Sequence, residues 1–277
     1  DYELIDMLGQ GGMGVVYAAK QSSIARTVAV KMLKPGDKSG GSEAGAEDQR
    51  DKFISEAVIT GELEHPNIVP IYDLGANAEG ALFYSMKRVK GTPWDDVIAQ
   101  RSLTKNLGIL MRVADAVAFA HASGVVHRDL KPENVMLGDY GEVLVMDWGL
   151  ARVTSDFPSA SSVHQSDSLG GTPTYMSPEM ARGPVTAIDA QSDVYLLGAM
   201  LFEICVGKPP HTGKDVMACL MAAATNKIRP VDQRVEARHA ELLAIARRAM
   251  AAKKADRYTG VKEMQAAVQE YLSHAES

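Results

Sequence analysis

The spacing of apolar positions changes part-way along the chain. Early on they fall in short β-branched or aromatic runs separated by turn residues: YELIDML at 2–8, VVYAAK at 15–20, TVAVKML at 27–33, IVPIYDL at 68–74 and ALFYSMKRV at 81–89. Such runs are strand signals. Residues 36–51 carry Gly36, Gly40, Gly41 and Gly45 among scattered charges. That composition predicts a flexible insertion with little to bury. A helix is expected over 47–63, ending before His65-Pro66, because a residue ahead of proline is turned away from helical geometry.

After Gly91 the repeat lengthens to three and four. Within 104–124, Leu107, Leu110, Met111, Ala114, Val117, Ala118 and His121 make one helical stripe, with Thr104 and Gly124 as expected caps. Further helices are expected near 191–206, 214–225, 238–252 and 260–273. In the last, Val261, Met264, Val268, Tyr271 and Leu272 form the stripe. The pattern predicts an α+β fold, with a strand-rich lobe over 1–88 and a larger, mainly helical lobe over 89–277.

Composition narrows the ligands. A chain of 277 residues, 46% hydrophobic, buries roughly three quarters of its unfolded surface. The formal net charge of -6 argues against a broad electrostatic grip on nucleic acid, so a phosphate ligand must be held locally. Cys205 and Cys219 sit in apolar helical stretches with no CxxC or histidine partner, which predicts buried free thiols in a reducing compartment. The longest nearly apolar run, 196–206, is too short to span a bilayer and contains Glu203. No membrane contact by this segment is expected. The chain starts at Asp1 without an initiator methionine, so a longer parent protein is expected.

Candidate chemistry gathers in four places. In LGQGGMGVVY (8–17), Gly9, Gly11 and Gly14 fit G-x-G-x-x-G-x-V, with Gly12 between them and Val16 last. Glycines let backbone N–H groups approach phosphate oxygens. A strand-like run follows, whereas a dinucleotide loop needs a helix there; a plain hairpin is the other reading. Lys31 ends the apolar AVK run. It is either solvated or turned inward, and an inward lysine needs an anion such as Glu56 or a phosphate. The stretch VVHRDLKPENVML (125–137) wedges charges of both signs between buried flanks. There Asp129 is suited to accept a hydroxyl proton, Lys131 to neutralise a phosphoryl group and Asn134 to offer an oxygen to a metal. Asp147, after the strand-like VLVM, can bind the same metal. Two oxygen ligands suit Mg²⁺, which takes the rest from water and phosphates.

With these motifs together, the sequence resembles the eukaryotic-like serine/threonine protein kinases, most of all their bacterial branch. The motifs occur in that family's order over nearly the whole chain: the Gly loop at 9–16, AVK at 29–31, Glu56, HRDLKPEN at 127–134, DWG at 147–149, GTPTYMSPE at 171–179, DVYLLG at 193–198 and Arg257. The resemblance implies a small antiparallel β lobe with one helix, a helical lobe, and ATP between them. It implies that Lys31 holds the α- and β-phosphates and pairs with Glu56. Asn134 and Asp147 would hold Mg²⁺, with Mn²⁺ the alternative ion, and Asp129 would orient and deprotonate a protein Ser/Thr hydroxyl. Thr172 would bond Asp129 and Lys131. For the adenine it implies Leu8, Val16, Ala29 and Met136 around the ring, Met86 at the gatekeeper position and Lys87 to Val89 on the hinge. Core packing is the other reading of Val16, Ala29 and Met136. Glu179–Arg257 is the implied buried ion pair, and Asp193 the implied acceptor for the 127–129 turn.

The same resemblance makes 147–179 the activation segment, with Ser166 and Ser168 as candidate autophosphorylation sites facing Arg128 and a homodimer as the partner for that reaction. It also implies a cytoplasmic domain, as such or as the cytosolic part of a membrane-anchored protein. Trp148 and Thr60 depart from the pattern, as does His211, which stands at a usually aromatic site and reads as packing. A catalytically weak scaffold and a small-molecule kinase are the competing functions; an intact catalytic set opposes the first, and the GT-x-x-Y…S-P-E segment the second.

Overall fold

Strand β1 (Tyr2–Gln10) pairs antiparallel with β2 (Gly14–Gln21), and β2 with β3 (Arg26–Leu33). In this computed structural model, which describes residues 1–34, 43–165 and 167–275, β4 (Ile71–Ala76) and β5 (Leu82–Met86) complete a sheet of order β1-β2-β3-β5-β4. The fourth strand begins at Ile71 rather than 68. Pro70 lacks the N–H a ladder needs, and Ile68 forms an isolated bridge to Val145 instead. The fifth ends at Met86, three residues short of expectation.

Helix α1 (Glu43–Glu62) lies between β3 and β4. It corrects part of the expected insertion: residues 43–51 are helical, and 36–42 lie outside the described residues. Glutamate, alanine, glutamine and arginine in 43–51 are good helix formers and outweigh Gly45. Phe53 and Ala57 pack α1 against Ala29, Val69, Tyr84 and Met86 of the sheet.

The chain then turns helical around three short strands: β6 (Gly91–Pro93) runs into α2 (Trp94–Val97), and β8 (Val135–Gly138) pairs with β6 and β9 (Val143–Val145). Helix α3 (Leu103–Ala122) buries Leu107, Leu110, Val113 and Val117. Its N-cap is Ser102, whose side chain accepts from Lys105 N, and not Thr104. Gly124 closes it at φ +78, where a side chain would meet Thr154 Oγ1 at 2.7 Å. Strand β7 (Val125–Val126) pairs with β10 (Arg152–Val153).

The last elements are α4 (Pro178–Arg182), α5 (Ala190–Val206), α6 (Val216–Ala224), α7 (Gln233–Arg238), α8 (Ala240–Ala249) and α9 (Val261–Ala275). Helix α5 is apolar on nearly every side, so it forms the centre of this lobe, packed by α3, α8 and α9. Gly198 lets α8 approach closely, since a Cβ there would lie 2.6 Å from that of Ala249. Among the described residues no helix is long and apolar enough to cross a membrane. The result is a two-lobed α+β fold in which the Gly-rich turn between β1 and β2 and the polar loops between β7 and β10 border a cavity of about 640 Å³.

Candidate active site

Strand alternation sets the first side chain. Residues 29 and 31 point to one face of β3, and Lys31 faces α1. Its Nζ donates to both oxygens of Glu56, at 3.0 and 2.9 Å. The Tyr84 hydroxyl donates to Glu56 Oε1 at 3.0 Å. Glu56 is only 4% exposed while Lys31 is 16% exposed, so the lysine sits at the open edge of the pair. Burial and the adjacent Glu56 charge push the Tyr84 phenol well above its ordinary range, which keeps it a donor. Tyr84 was missed in the sequence. It stands two residues from Met86 on one strand, and that period-two spacing was the available signal.

The Gly-rich turn closes over this pair. Gly14 must lack a side chain, because a Cβ there would lie 2.6 Å from Met32 O. Gly9, Gly11 and Gly12 would meet nothing within 4 Å. The turn is held by Gly11 N–H to Gly14 O and by Lys34 Nζ to Gly11 O.

The loop at 127–134 is fixed from beneath. Asp193, on α5, accepts His127 N at 2.8 Å, Arg128 N at 2.9 Å and His121 Nε2 at 2.7 Å. Both backbone donors reach one carboxylate because Arg128 adopts φ +74, a strained conformation for a non-glycine. Burial raises the Asp193 pKa, but the His121 bond and neighbouring donors outweigh it and hold the carboxyl below its ordinary value. His127 accepts Asp129 N at Nδ1 and faces Met146 O with Nε2, at 3.1 and 3.0 Å. It therefore ties this loop to the residue preceding Asp147.

Above that base, Thr172 Oγ1 donates to Asp129 Oδ1 at 2.9 Å and accepts from Lys131 Nζ at 2.8 Å. Lys131 Nζ lies 3.9 Å from Asp129 Oδ2. Asn134 Nδ2 bonds the Asp129 carbonyl at 2.8 Å and approaches Oδ2 at 3.3 Å. With its nitrogen so used, the Asn134 side-chain oxygen is the atom left for a cation. Burial raises the Asp129 pKa, only partly opposed by Lys131 and His127. Asp147 sits at φ +56. One amide oxygen and one carboxylate form a hard-oxygen donor set that fits Mg²⁺; among the described residues no group of three or more His, Cys, Asp or Glu could hold a metal by itself.

The cavity brings together Gly11, Gly12, Gly14, Val16, Lys31, Glu56, Met86, Asp129 and Asp147 of the expected set. Leu8, Gly9, Ala29, Lys87, Val89, Lys131, Asn134, Met136 and Thr172 are not among its walls. Ala29 packs beneath the sheet with Val16 and Met86, and Lys87 N is bonded to Pro70 O at 3.0 Å. The cavity instead extends under α1 to Val69, Ile71 and Met146. Met146 precedes Asp147 directly, but the sequence carried no sign of its role.

The lysine–glutamate pair, Asp129 and Asp147 thus share one cavity, and Lys131, Thr172 and Asn134 are bonded around Asp129. The protein kinase domain family matches residues 2–274. This chain belongs to that family. The kinase domain is 36% identical over 276 residues to serine/threonine-protein kinase PknB of Mycobacterium tuberculosis, covering 96% of this chain and 42% of the relative. It is likewise 36% identical over 276 residues to serine/threonine-protein kinase PknB of Mycobacterium leprae, with the same coverage. Against the PknB-type kinase of Corynebacterium glutamicum it is 34% identical over 275 residues, covering 96% of this chain and 41% of the relative. The chain thus spans about two fifths of the length of these relatives.

The kinase domain's departures have clear contacts. Trp148 is 1% exposed, donates Nε1 to Val145 O at 3.3 Å and meets the His127 ring edge-on at 4.6 Å. Thr60 bonds Glu56 O at 2.7 Å within its own helix. The segment after β10 is anchored rather than purely polar: Phe157 is buried in the main core. His164 N donates to Ser55 Oγ of α1 at 2.8 Å, and Gln165 brackets Val153 through both backbone groups. Arg128 donates to Leu150 O and Ser168 O, each at 3.2 Å. Arg128 Nε and Arg152 Nη1 are buried without a hydrogen-bond partner among the described residues. Ser166 lies outside the described residues. In the helical lobe, Arg257 grips both oxygens of Glu179, at 2.7 and 2.8 Å.

Proposed function

We propose that the protein containing this domain is an ATP- and Mg²⁺-dependent serine/threonine protein kinase. The observation that carries this is the Asp129 carboxylate, held from behind by the Thr172 hydroxyl that Lys131 also bonds, on the wall of the same cavity as the Lys31–Glu56 pair and Asp147. In this reading Lys31 holds the α- and β-phosphates while Glu56 and Tyr84 hold Lys31. Asn134 and Asp147 would hold the metal, which when bound neutralises phosphate charge; Mn²⁺ has the same ligand preferences. Asp129 orients the acceptor hydroxyl and takes its proton as the oxygen–phosphorus bond forms and the bond to ADP breaks. Its raised pKa makes it a better proton acceptor than an ordinary aspartate. Lys131 and Thr172 fix that carboxylate and stabilise the transferring charge. The remaining adenine assignments, Leu8, Ala29, Lys87, Val89 and Met136, belong to this reading and await a nucleotide complex.

Incubation with γ-labelled ATP, Mg²⁺ and a generic basic protein tests it. Label should appear on serine or threonine and fall at least about 100-fold in Asp129→Asn. Labelling of small molecules but no protein, or a fully active Asp129→Asn, would contradict it.

Activation is read the same way. Buried Arg128 and half-buried Arg152 each keep a donor without a partner among the described residues; such donors suit a phosphate, and Arg128 already touches Ser168 O. Autophosphorylation of Ser168 or Ser166, in trans within a homodimer, follows; peptide mass spectrometry after ATP treatment should find phosphate within 154–174. The two buried cysteines favour a reducing cytosolic setting, whether or not the parent protein is anchored in a membrane.

A further inference from the structure

His211 precedes α6 and is fully buried, with 0% exposure. Its backbone N donates to Thr174 O at 3.1 Å. Its ring makes three more contacts. Nε2 lies 3.0 Å from Met176 O and 2.8 Å from the Tyr195 hydroxyl, and Nδ1 lies 3.0 Å from Lys227 O. The ring lies parallel to that of Tyr195, with centroids 6.0 Å apart and planes 14° apart. The Tyr195 hydroxyl donates onward to Asn226 Oδ1 at 2.6 Å.

Carbonyl oxygens cannot donate, and a neutral imidazole carries one N–H; since the Tyr195 hydroxyl gives its proton to Asn226, that N–H sits on Nε2, toward Met176 O and the Tyr195 oxygen. Packing alone would be served by an apolar ring, which makes neither ring bond. The backbone N and ring Nε2 of His211 both bond one segment, at Thr174 O and Met176 O. Thr174 and Met176 follow Thr172, whose hydroxyl bonds Asp129, and they precede Ser177, the buried N-cap of α4. The same segment is tied elsewhere only at its side chains, as by Tyr175 to Glu203 at 2.6 Å, and by its local turn bonds.

We propose that His211 is a positioning residue for the protein substrate: it clamps the Thr174 and Met176 carbonyls, and so sets the backbone on which the acceptor segment lies beside Asp129. This rests on the proposed kinase reading, to which it adds that 171–179, the segment running on from Thr172, carries the protein substrate. The role is specific to a histidine at this site. An aromatic side chain without ring nitrogens keeps the packing and the backbone bond to Thr174 but loses the bond to Met176.

Two amide variants separate the ring's ends. His211→Gln reaches Met176 O, as Nε2 does; His211→Asn reaches only the Lys227 side. For the Asn variant, KM for a generic basic protein should rise about tenfold, the scale of one hydrogen bond. Its kcat and its KM for ATP should stay within about twofold of wild type, and the Gln variant should return the protein KM to within about threefold. Equal protein KM in wild type and Asn variant overturns the proposal. So does a loss shared by kcat and ATP that glutamine does not restore. Amide hydrogen exchange at residues 174–177 reads the clamp without any assay: it should quicken in the Asn variant and recover in the Gln variant, and equal rates would overturn the clamp. Absence of transfer by the wild type counts instead against the kinase reading.

Discussion

Two ion pairs hold this domain, and they are built differently. Arg257 is completely buried, bonds both oxygens of Glu179, and also reaches the Ala251 and Gln191 carbonyls. Glu179 further accepts from Ser192. Every partner is protein, so the pair is over-determined and joins α4, α5 and the turn before α9. Lys31 and Glu56 are joined only to each other and to Tyr84, with the lysine at the cavity wall. One side of Lys31 is left for a ligand. Buried charges fixed from all sides are structural, and charges fixed from one side are available to substrate.

Breaking the cleft pair should cost activity far more than stability. Lys31→Met is expected to lower phosphoryl transfer by more than about 100-fold, with a small change in the thermal midpoint, because Glu56 keeps its Tyr84 bond. A steady-state assay beside a melting curve checks this. Breaking the other pair should do the reverse. Arg257→Met strands Glu179 and should lower unfolding free energy by roughly 3–5 kcal/mol, read by denaturant titration; an unchanged midpoint would count against the assignment.

The pair's pH response sharpens the contrast. Burial raises the Glu179 pKa, but the Arg257 bond and charge, with Ser192 and backbone help, bring it down to about 2, against an ordinary value of 4.5. A depressed folded-state pKa stabilises above the unfolded value and is lost as pH falls through the folded one. Stability should therefore decline between about pH 4.5 and 2, and Glu179→Gln should flatten that decline at the expense of stability near neutrality. In the cleft the sign is opposite. Burial raises the Asp129 pKa and Lys131 is the first force opposing it. The acid limb of kcat/KM should lie above the ordinary aspartate range and move further up in Lys131→Met. The smallest effect is expected from Trp148→Phe. It removes the bond to Val145 O, which Val69 N also serves, so the unfolding free energy should fall by only about 1 kcal/mol, read by denaturant titration; a loss as large as that of Arg257→Met would contradict this.

Much of this was legible from residue pattern. Short β-branched and aromatic runs predicted the sheet, and the stripe at Leu107, Leu110 and Val117 predicted α3, because burial on one helix face leaves a rhythm. The paired charges at 127–134 could be read because apolar flanks forced them inward. What escaped was set by tertiary meeting points. Arg152 comes near Arg128 only through the two-residue β7–β10 pairing, which has no rhythm of its own. The helical start at Glu43 was hidden by Gly45 and the surrounding glycines. His211 looked like packing because its partners are mostly backbone carbonyls, which every residue carries and no sequence pattern marks.

The most direct test concerns convergence on one triphosphate. Calorimetric titration with ATP and with adenosine, each with and without Mg²⁺, should show that ATP binds more tightly than adenosine when Mg²⁺ is present. That advantage should disappear in both Lys31→Met and Asp147→Asn. An advantage that survives both substitutions would mean that these two side chains do not share a nucleotide.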